Sequence, residues 1–287
     1  MLPSFTKHFT TKQRGPTVVV MGGVHGNERV GVRVIEELER NLSDNLLKGE
    51  LYLILGNPEA YKLNHRFVET DMNRLFDQEN LSVIRKSGSL LNLEQRRVGE
   101  VLPILEKAEF LLDLHSTIKP SVPFIFVENT DKHLELATIF ETEFIVSVKP
   151  NLNCLDLASC TDNFVDSQGG VGLTYESGWH KDNSSFEQVF LKTKKYLNYL
   201  GLTTFELQDY SKNPCSPKHL LIEKAIIPQS DSFRYEKDFK NFDKVSKGAL
   251  IAKEGNTNIL AEKDLYLLFV KEDIQKNKPA GFLAVEI

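Results

Sequence analysis

The chain has 287 residues, 41% hydrophobic and 26% charged, which is enough apolar material for a sizeable core at a charge content near the globular norm. That length suits one large catalytic domain with a smaller appendage. A formal net charge of −5 leaves no basic face for nucleic acid or an acidic membrane surface, so neither is expected as a partner.

At the N-terminus, "MLPSFTKHFT" lacks an apolar core of signal-peptide length, and no later apolar run approaches a membrane span. A cytoplasmic protein is expected. "TVVVMGG" then reads as a buried strand, because its β-branched residues run without alternation. "NERVGVRVIEELERNL" reads as a helix, with Val30, Val34 and Leu38 in a stripe that Val32, Ile35 and Leu42 widen. "ELYLILGNP" is a second strand, stopped by Gly56, Asn57 and Pro58. "NLEQRRVGEVLPILEKA" is mostly helical, and "EFLLDLHST", "PFIFVEN" and "VGLTYESG" are further strands. "SSFEQVFLKTKKYLNYLGL" is a helix with a serine cap, ended by Gly201. Alternation of this kind predicts an α/β fold around a mostly parallel sheet, with its site where loops leave the C-terminal ends of strands. The character changes after about residue 205, where short strand-like segments joined by turns predict a small β-rich C-terminal domain, residues 208–287, behind a first domain of residues 1–207. The three cysteines, Cys154, Cys160 and Cys215, form no CxxC pair, which argues against a disulfide framework.

Candidate chemistry sits at the ends of the predicted strands. His25 and Glu28, three residues apart in the turn after the first strand, can aim at one point, and histidine nitrogen with carboxylate oxygen makes a good zinc set that wants a third ligand. His115, ending "LLDLHST", is the best candidate; taken alone it would pass for a satisfied core histidine, but two strand ends of matching chemistry favour a shared site. Asp113, two residues before it on the same strand face, could orient it. The loop "GNPEAYKLNHRFVETDMNRLF" carries Arg66, Asn73 and Arg74, and arginine binds carboxylates in parallel pairs of hydrogen bonds or polarises a carbonyl. His65 is a further residue that could line the site, while Asn57 reads as a turn cap. In "LTYESGWH", Glu176 interrupts an apolar run where a carboxylate could take a proton from a metal-activated water. His8, His133, His180 and His219 and the cysteines have no motif around them and read as surface or incidental residues.

Taken together, "GGVHGNE", "NPEAYKLNHRFVETDMNRLF", "DLHST" and "YESG", in this order from Gly22 to Gly178, resemble the succinylglutamate desuccinylase/aspartoacylase family, a relative of the zinc carboxypeptidases. The resemblance implies a zinc-carboxypeptidase-like, mostly parallel mixed sheet flanked by helices, with the C-terminal β domain capping the site. It implies one Zn²⁺ per chain on His25, Glu28 and His115, Glu176 as general acid/base, Arg66 beside the developing oxyanion, and Asn73 and Arg74 on a substrate carboxylate. The implied reaction is hydrolysis of the amide of a small anionic N-acyl amino acid. Aspartoacylases use one more arginine shortly before the catalytic glutamate, and here no Lys or Arg occurs between Lys149 and Lys181, which makes N-acetylaspartate a poor fit. "DLHSTIKPS" looks closer to the desuccinylases, and Lys119 could meet a second carboxylate. The tyrosine that the aspartoacylase C-terminal domain adds has no evident counterpart. Two other readings compete: a carboxypeptidase acting on short peptides, and a non-catalytic metal-binding relative. The presence of every ligand and of the candidate base speaks against the latter. Whether copies assemble into a homo-oligomer is left open.

Overall fold

The computed structural model describes every residue except 1–4, 43–44, 87–89, 151, 153–158 and 208–215. Strand β2 (Thr17–Gly22) is buried along almost its whole length, as a run of successive valines requires. Val18 and Val20 point into one apolar cluster and Val19 and Met21 into another, because helices cover both faces of the sheet. On the first face lie α1 (Arg29–Asn41), α5 (Asp131–Thr138) and α7 (Phe186–Tyr199). On the second lie α3 (Gln78–Lys86), α4 (Leu93–Leu105) and α6 (Thr161–Ser167). The remaining α-helix among the described residues, α2 (Pro58–Leu63), follows the strand β3 (Glu50–Leu55) directly.

The main sheet among the described residues has eleven strands. Its edge is β1 (Thr6–Thr10), antiparallel to β3. From β3 inward, β2, β4 (Phe110–Thr117) and β7 (Val171–Trp179) run parallel. β5 (Phe124–Val127) is antiparallel to β7, while β6 (Phe144–Val148) and β8 (Lys218–Ile226) resume the parallel run. The sheet therefore combines a largely parallel body, flanked by helices, with an antiparallel extension of β14 (Gly281–Glu286), β13 (Leu265–Leu268) and β10 (Asp243–Val245). A separate three-stranded antiparallel sheet holds β9 (Arg234–Tyr235), β11 (Leu250–Glu254) and β12 (Thr257–Leu260). The expected change to short strands occurs, and the boundary expected at residue 208 falls outside the described residues. No described helix is long and apolar enough to cross a membrane.

One local expectation needs correction. Ser185 precedes α7 but makes no capping bond; Asp182 instead accepts from the Ser184 amide and hydroxyl, closing the 3-10 turn that leads into the helix. The other end behaves as expected, with Gly201 at φ +65° just beyond the last turn.

Candidate active site

The parallel register sets the site. β2, β4 and β7 are neighbours, so their C-terminal ends converge, and His115 on β4 is the direct cross-strand partner of Glu176 on β7. The turn after β2 brings His25 and Glu28 to the same edge. Gly26 lets that turn lie against the backbone of α2, where a Cβ would sit 2.1 Å from the Ala60 carbonyl carbon. Its amide donates to the Arg66 carbonyl at 3.1 Å, which ties the long loop after β3 to the turn after β2.

His25, Glu28 and His115 are all buried, and their donor atoms lie within 4.8 Å of one another. Glu28 Oε1 is 2.8 Å from His25 Nδ1, and Oε2 is 3.1 Å from His115 Nδ1 while accepting the Ser116 amide at 2.8 Å. Both Nδ1 atoms thus face the same carboxylate. On their far sides, His25 Nε2 is 3.1 Å from Asp71 Oδ1, and His115 Nε2 is 3.1 Å from Asp113 Oδ2, though the latter pair is poorly aligned for a hydrogen bond. Two imidazoles backed by carboxylates and converging on a third carboxylate have the donor chemistry of a divalent-cation site, so these residues fit such an ion.

Charge is strongly organised here. Burial pushes the Glu28 carboxyl up, but His25 and His115 outweigh it and hold it well below the usual carboxylate range. Asp71 is likewise held low, since His25, Arg66 and Arg74 together outweigh its burial. Burial opposes the charged form of His115, and Asp113 and Glu28 overcome it and raise its pKa well above the ordinary value. Glu176 goes the other way: burial, with Glu28 nearby, raises it to about 8, and its Oε2 is shielded from solvent without a hydrogen-bond partner.

The loop residues assemble around this core. Arg66 forms a pair of contacts with Asp71, Nε at 3.2 Å and an Nη at 3.1 Å from Oδ2, and lies 3.6 Å from Glu28 Oε1. Asp71 caps the short 3-10 turn 72–74 by accepting from the Asn73 amide. Asn73 is buried, and its Oδ1 accepts from the Thr161 amide at the start of α6. Arg74 donates to the Asn73 carbonyl and to Cys160 Sγ. Asp113 accepts from the Thr161 hydroxyl at 2.5 Å. Lys119 stands apart from this group: its ammonium pairs with Asp238 at 3.0 Å and Glu272 at 3.5 Å, both in the C-terminal part of the chain.

Several residues differ from their sequence reading. His65, expected as a residue that could line the site, is exposed. Cys160 is in contact with Arg74 rather than incidental, while Cys154 and Cys215 lie outside the described residues. His133 is buried, taking a hydrogen bond from or giving one to Thr130 and pairing with Asp166 at 2.9 Å. With Glu128, these last two make a second group of metal-type side chains, but Glu128 is exposed and Asp166 only partly buried, unlike the fully buried group of His25, Glu28 and His115. Sequence reasoning missed Asp71 and Glu94. The "TDMN" spacing, an Asp two residues before an Asn amide, is the turn-capping signal that could have found the first.

Residues 14–193 match the model of the Succinylglutamate desuccinylase/Aspartoacylase catalytic domain. A succinylglutamate desuccinylase from Pseudomonas paraeruginosa is 25% identical over 291 residues, covering 96% of this chain and 85% of that one. A probable aspartoacylase from Acaryochloris marina is 35% identical over 128 residues, 42% of this chain and 41% of its own. Among solved structures, a succinylglutamate desuccinylase from Vibrio cholerae superposes with a TM-score of 0.75 at 15% identity, covering 96% of this chain and 83% of that one.

Proposed function

From the premise that the chain belongs to the succinylglutamate desuccinylase/aspartoacylase family, we propose that it is a zinc-dependent deacylase that cleaves the amide of a small anionic N-acyl amino acid. The observation that carries this reading is the convergence of His25, Glu28 and His115 beside Glu176.

In this reading His25, Glu28 and His115 hold one Zn²⁺, with Asp71 and Asp113 orienting the imidazoles from behind. A zinc ion so held supplies Lewis acidity and brings the pKa of a water to about 7. Glu176 takes the proton of the attacking water on its carboxylate and hands it to the departing amine nitrogen. Burial raises the basicity of this carboxyl, which helps it hold the proton between the two transfers. Arg66 faces the negative charge that grows on the carbonyl oxygen, and Asp71 holds its guanidinium in place. Asn73 and Arg74 grip the substrate carboxylate; Asn73 Oδ1 accepts from the Thr161 backbone amide, so its side-chain Nδ2 is the group that meets the ligand. Lys119 is proposed for a second substrate carboxylate, which would have to compete with Asp238 and Glu272 for the ammonium. In the same reading the chain divides at residue 208, and the later residues cap the site.

The absence of any Lys or Arg between Lys149 and Lys181 favours an N-succinyl over an N-acetylaspartate substrate. The test is hydrolysis of N-succinylglutamate, N-acetylaspartate, other N-acyl amino acids and a few dipeptides by the zinc-loaded protein, with and without a chelator. Chelator-sensitive release of one amino acid from its N-acyl form is the expected result. Turnover of dipeptides alone would move the protein to the carboxypeptidase reading, and inactivity on the whole panel would remove the deacylase one.

A further inference from the structure

The loop that carries Arg66, Asn73 and Arg74 leaves β3 and runs about twenty residues before the chain reaches α3. It holds the six-residue α2 and the 3-10 turn 72–74, with an irregular stretch between them, yet its arginines must stand in fixed places relative to His25 and Glu28. What closes it is a side chain from elsewhere. Glu94, in the first turn of α4, is completely buried. Its Oε1 accepts from the Val68 amide at 2.7 Å and from Asn57 Nδ2 at 3.1 Å, and its Oε2 accepts from the Glu69 and Thr70 amides, each at 3.2 Å.

None of these donors is charged, and together they span both ends of the segment from Asn57 to Thr70. The same Asn57 caps α2 through its Oδ1. The contact is reciprocal: Glu69 Oε2 accepts from the Leu93 amide at 2.5 Å, and Asn92 Nδ2 donates to Thr70 Oγ1 at 3.0 Å. An acceptor side chain in the first turn of a helix is also favoured by the helix dipole, which suits the position of Glu94 in α4. The residue after Thr70 is Asp71, which holds His25, Arg66 and the Asn73 amide.

We propose that Glu94 is a positioning residue: it pins the segment 57–70 closed and so sets where Arg66, Asn73 and Arg74 stand relative to His25, Glu28 and His115. This rests on the substrate roles assigned to those loop residues under the proposed function. The geometry distinguishes a carboxylate from its isostere. In Glu94→Gln one acceptor oxygen becomes an amide group that meets backbone N–H donors, so at least one of them loses its partner.

The test compares wild type, Glu94→Gln and Glu94→Asp, each zinc-loaded, on the N-acyl amino acid that wild type hydrolyses best. Glu94→Gln is expected to lower kcat/KM about 100-fold, the scale of an ångström-size misplacement, and Glu94→Asp, which keeps both oxygens but retracts them, about 10-fold. Metal content per chain after loading with excess zinc should not change, because the ligands His25, Glu28 and His115 stand on other segments and only Asp71, behind His25, adjoins the pinned one. Hydrogen exchange should show lost protection at the Val68, Glu69 and Thr70 amides, with β2 and β4 unaffected. Should Glu94→Gln not fold, Glu94→Asp carries the same two readouts. A folded variant that keeps kcat/KM within about twofold of wild type and keeps the protection of those three amides would overturn the proposal. If wild type hydrolyses nothing, the substrate roles fail, while the exchange measurement still decides whether Glu94 holds the loop.

Discussion

Glu28, buried, and Glu176, half-buried, are two carboxyls at one edge of the sheet with opposite environments. The two histidines hold Glu28 charged, whereas burial, with Glu28 close by, leaves Glu176 near pH 8 and one of its oxygens without a partner. Separation of this kind divides labour between acids: the low one can bind a cation, and the high one can carry a proton. Replacing Glu176 with glutamine keeps the shape, removes the proton-carrying site and relieves the repulsion from Glu28. Glu176→Gln is therefore expected to lower kcat by about 10²–10⁴ with unchanged zinc content and a thermal midpoint no lower than wild type. Zinc analysis, calorimetry and steady-state kinetics on one preparation check all three, and full activity in this variant would sink the mechanism.

At the scale of elements, α6 shows how a short helix is fixed by polar groups. It has seven residues, and its first-turn Asp162 is buried, accepting from the Thr174 hydroxyl at 2.9 Å and from the Asn163 amide at 2.9 Å. Burial, followed by the nearby Asp166 and Asp113, raises Asp162 from 3.8 to about 6. A folded-state pKa above the unfolded one means that the fold loses stability as pH rises from about 4 to about 6 and no more beyond it; about two pKa units correspond to about 3 kcal/mol. Asp162→Asn keeps an oxygen for the Asn163 amide and a group for Thr174 but cannot titrate. Urea unfolding at pH 4 and pH 7 should show wild type losing about 3 kcal/mol more than the variant over that interval, and parallel pH–stability curves would rule this out. Such elements also mark what was legible in the sequence. β2, β3, β4, β7 and α1 announce themselves by long apolar runs or a 3.6-residue stripe, and the strand-end positions of His25, His115 and Glu176 follow from them. β1, with the sequence TKHFT at the sheet edge, and the seven-residue α6 are too short and too polar to show a period. Glu94 was invisible for a different reason: a carboxylate that accepts from distant backbone amides has no residue-type signature in its partners, and only the folded loop brings them together.

For the whole molecule, the sequence reading of a smaller β-rich part meets a sheet that does not stop. β8 continues the parallel run beside β6, and β14, β13 and β10 extend it. One apolar cluster draws on both sides of that junction, with Phe124, Phe144 and Val146 from the first part against Leu220, Ile222, Tyr266, Leu268 and Phe282 from the second. The Lys119 pairs with Asp238 and Glu272 join the loop after β4 to the same C-terminal residues. Such exposed acids contribute little to stability, on the order of 1 kcal/mol or less per pair, so the shared apolar cluster decides how the two parts depend on each other. Ending the chain after Leu207 would uncover Phe124, Phe144 and Val146 and leave β6 as an open edge. At about 1.5–3 kcal/mol for each large side chain, the loss is about 5–9 kcal/mol, comparable to the whole stability of an ordinary domain. A chain of residues 1–207 is accordingly expected to be insoluble or to unfold at room temperature, and to bind the apolar dye that reports exposed hydrophobic surface. Cooperative unfolding of a soluble, dye-silent 1–207 chain would mean instead that the sheet tolerates an end at β6, and that the later strands were added to a fold already complete without them.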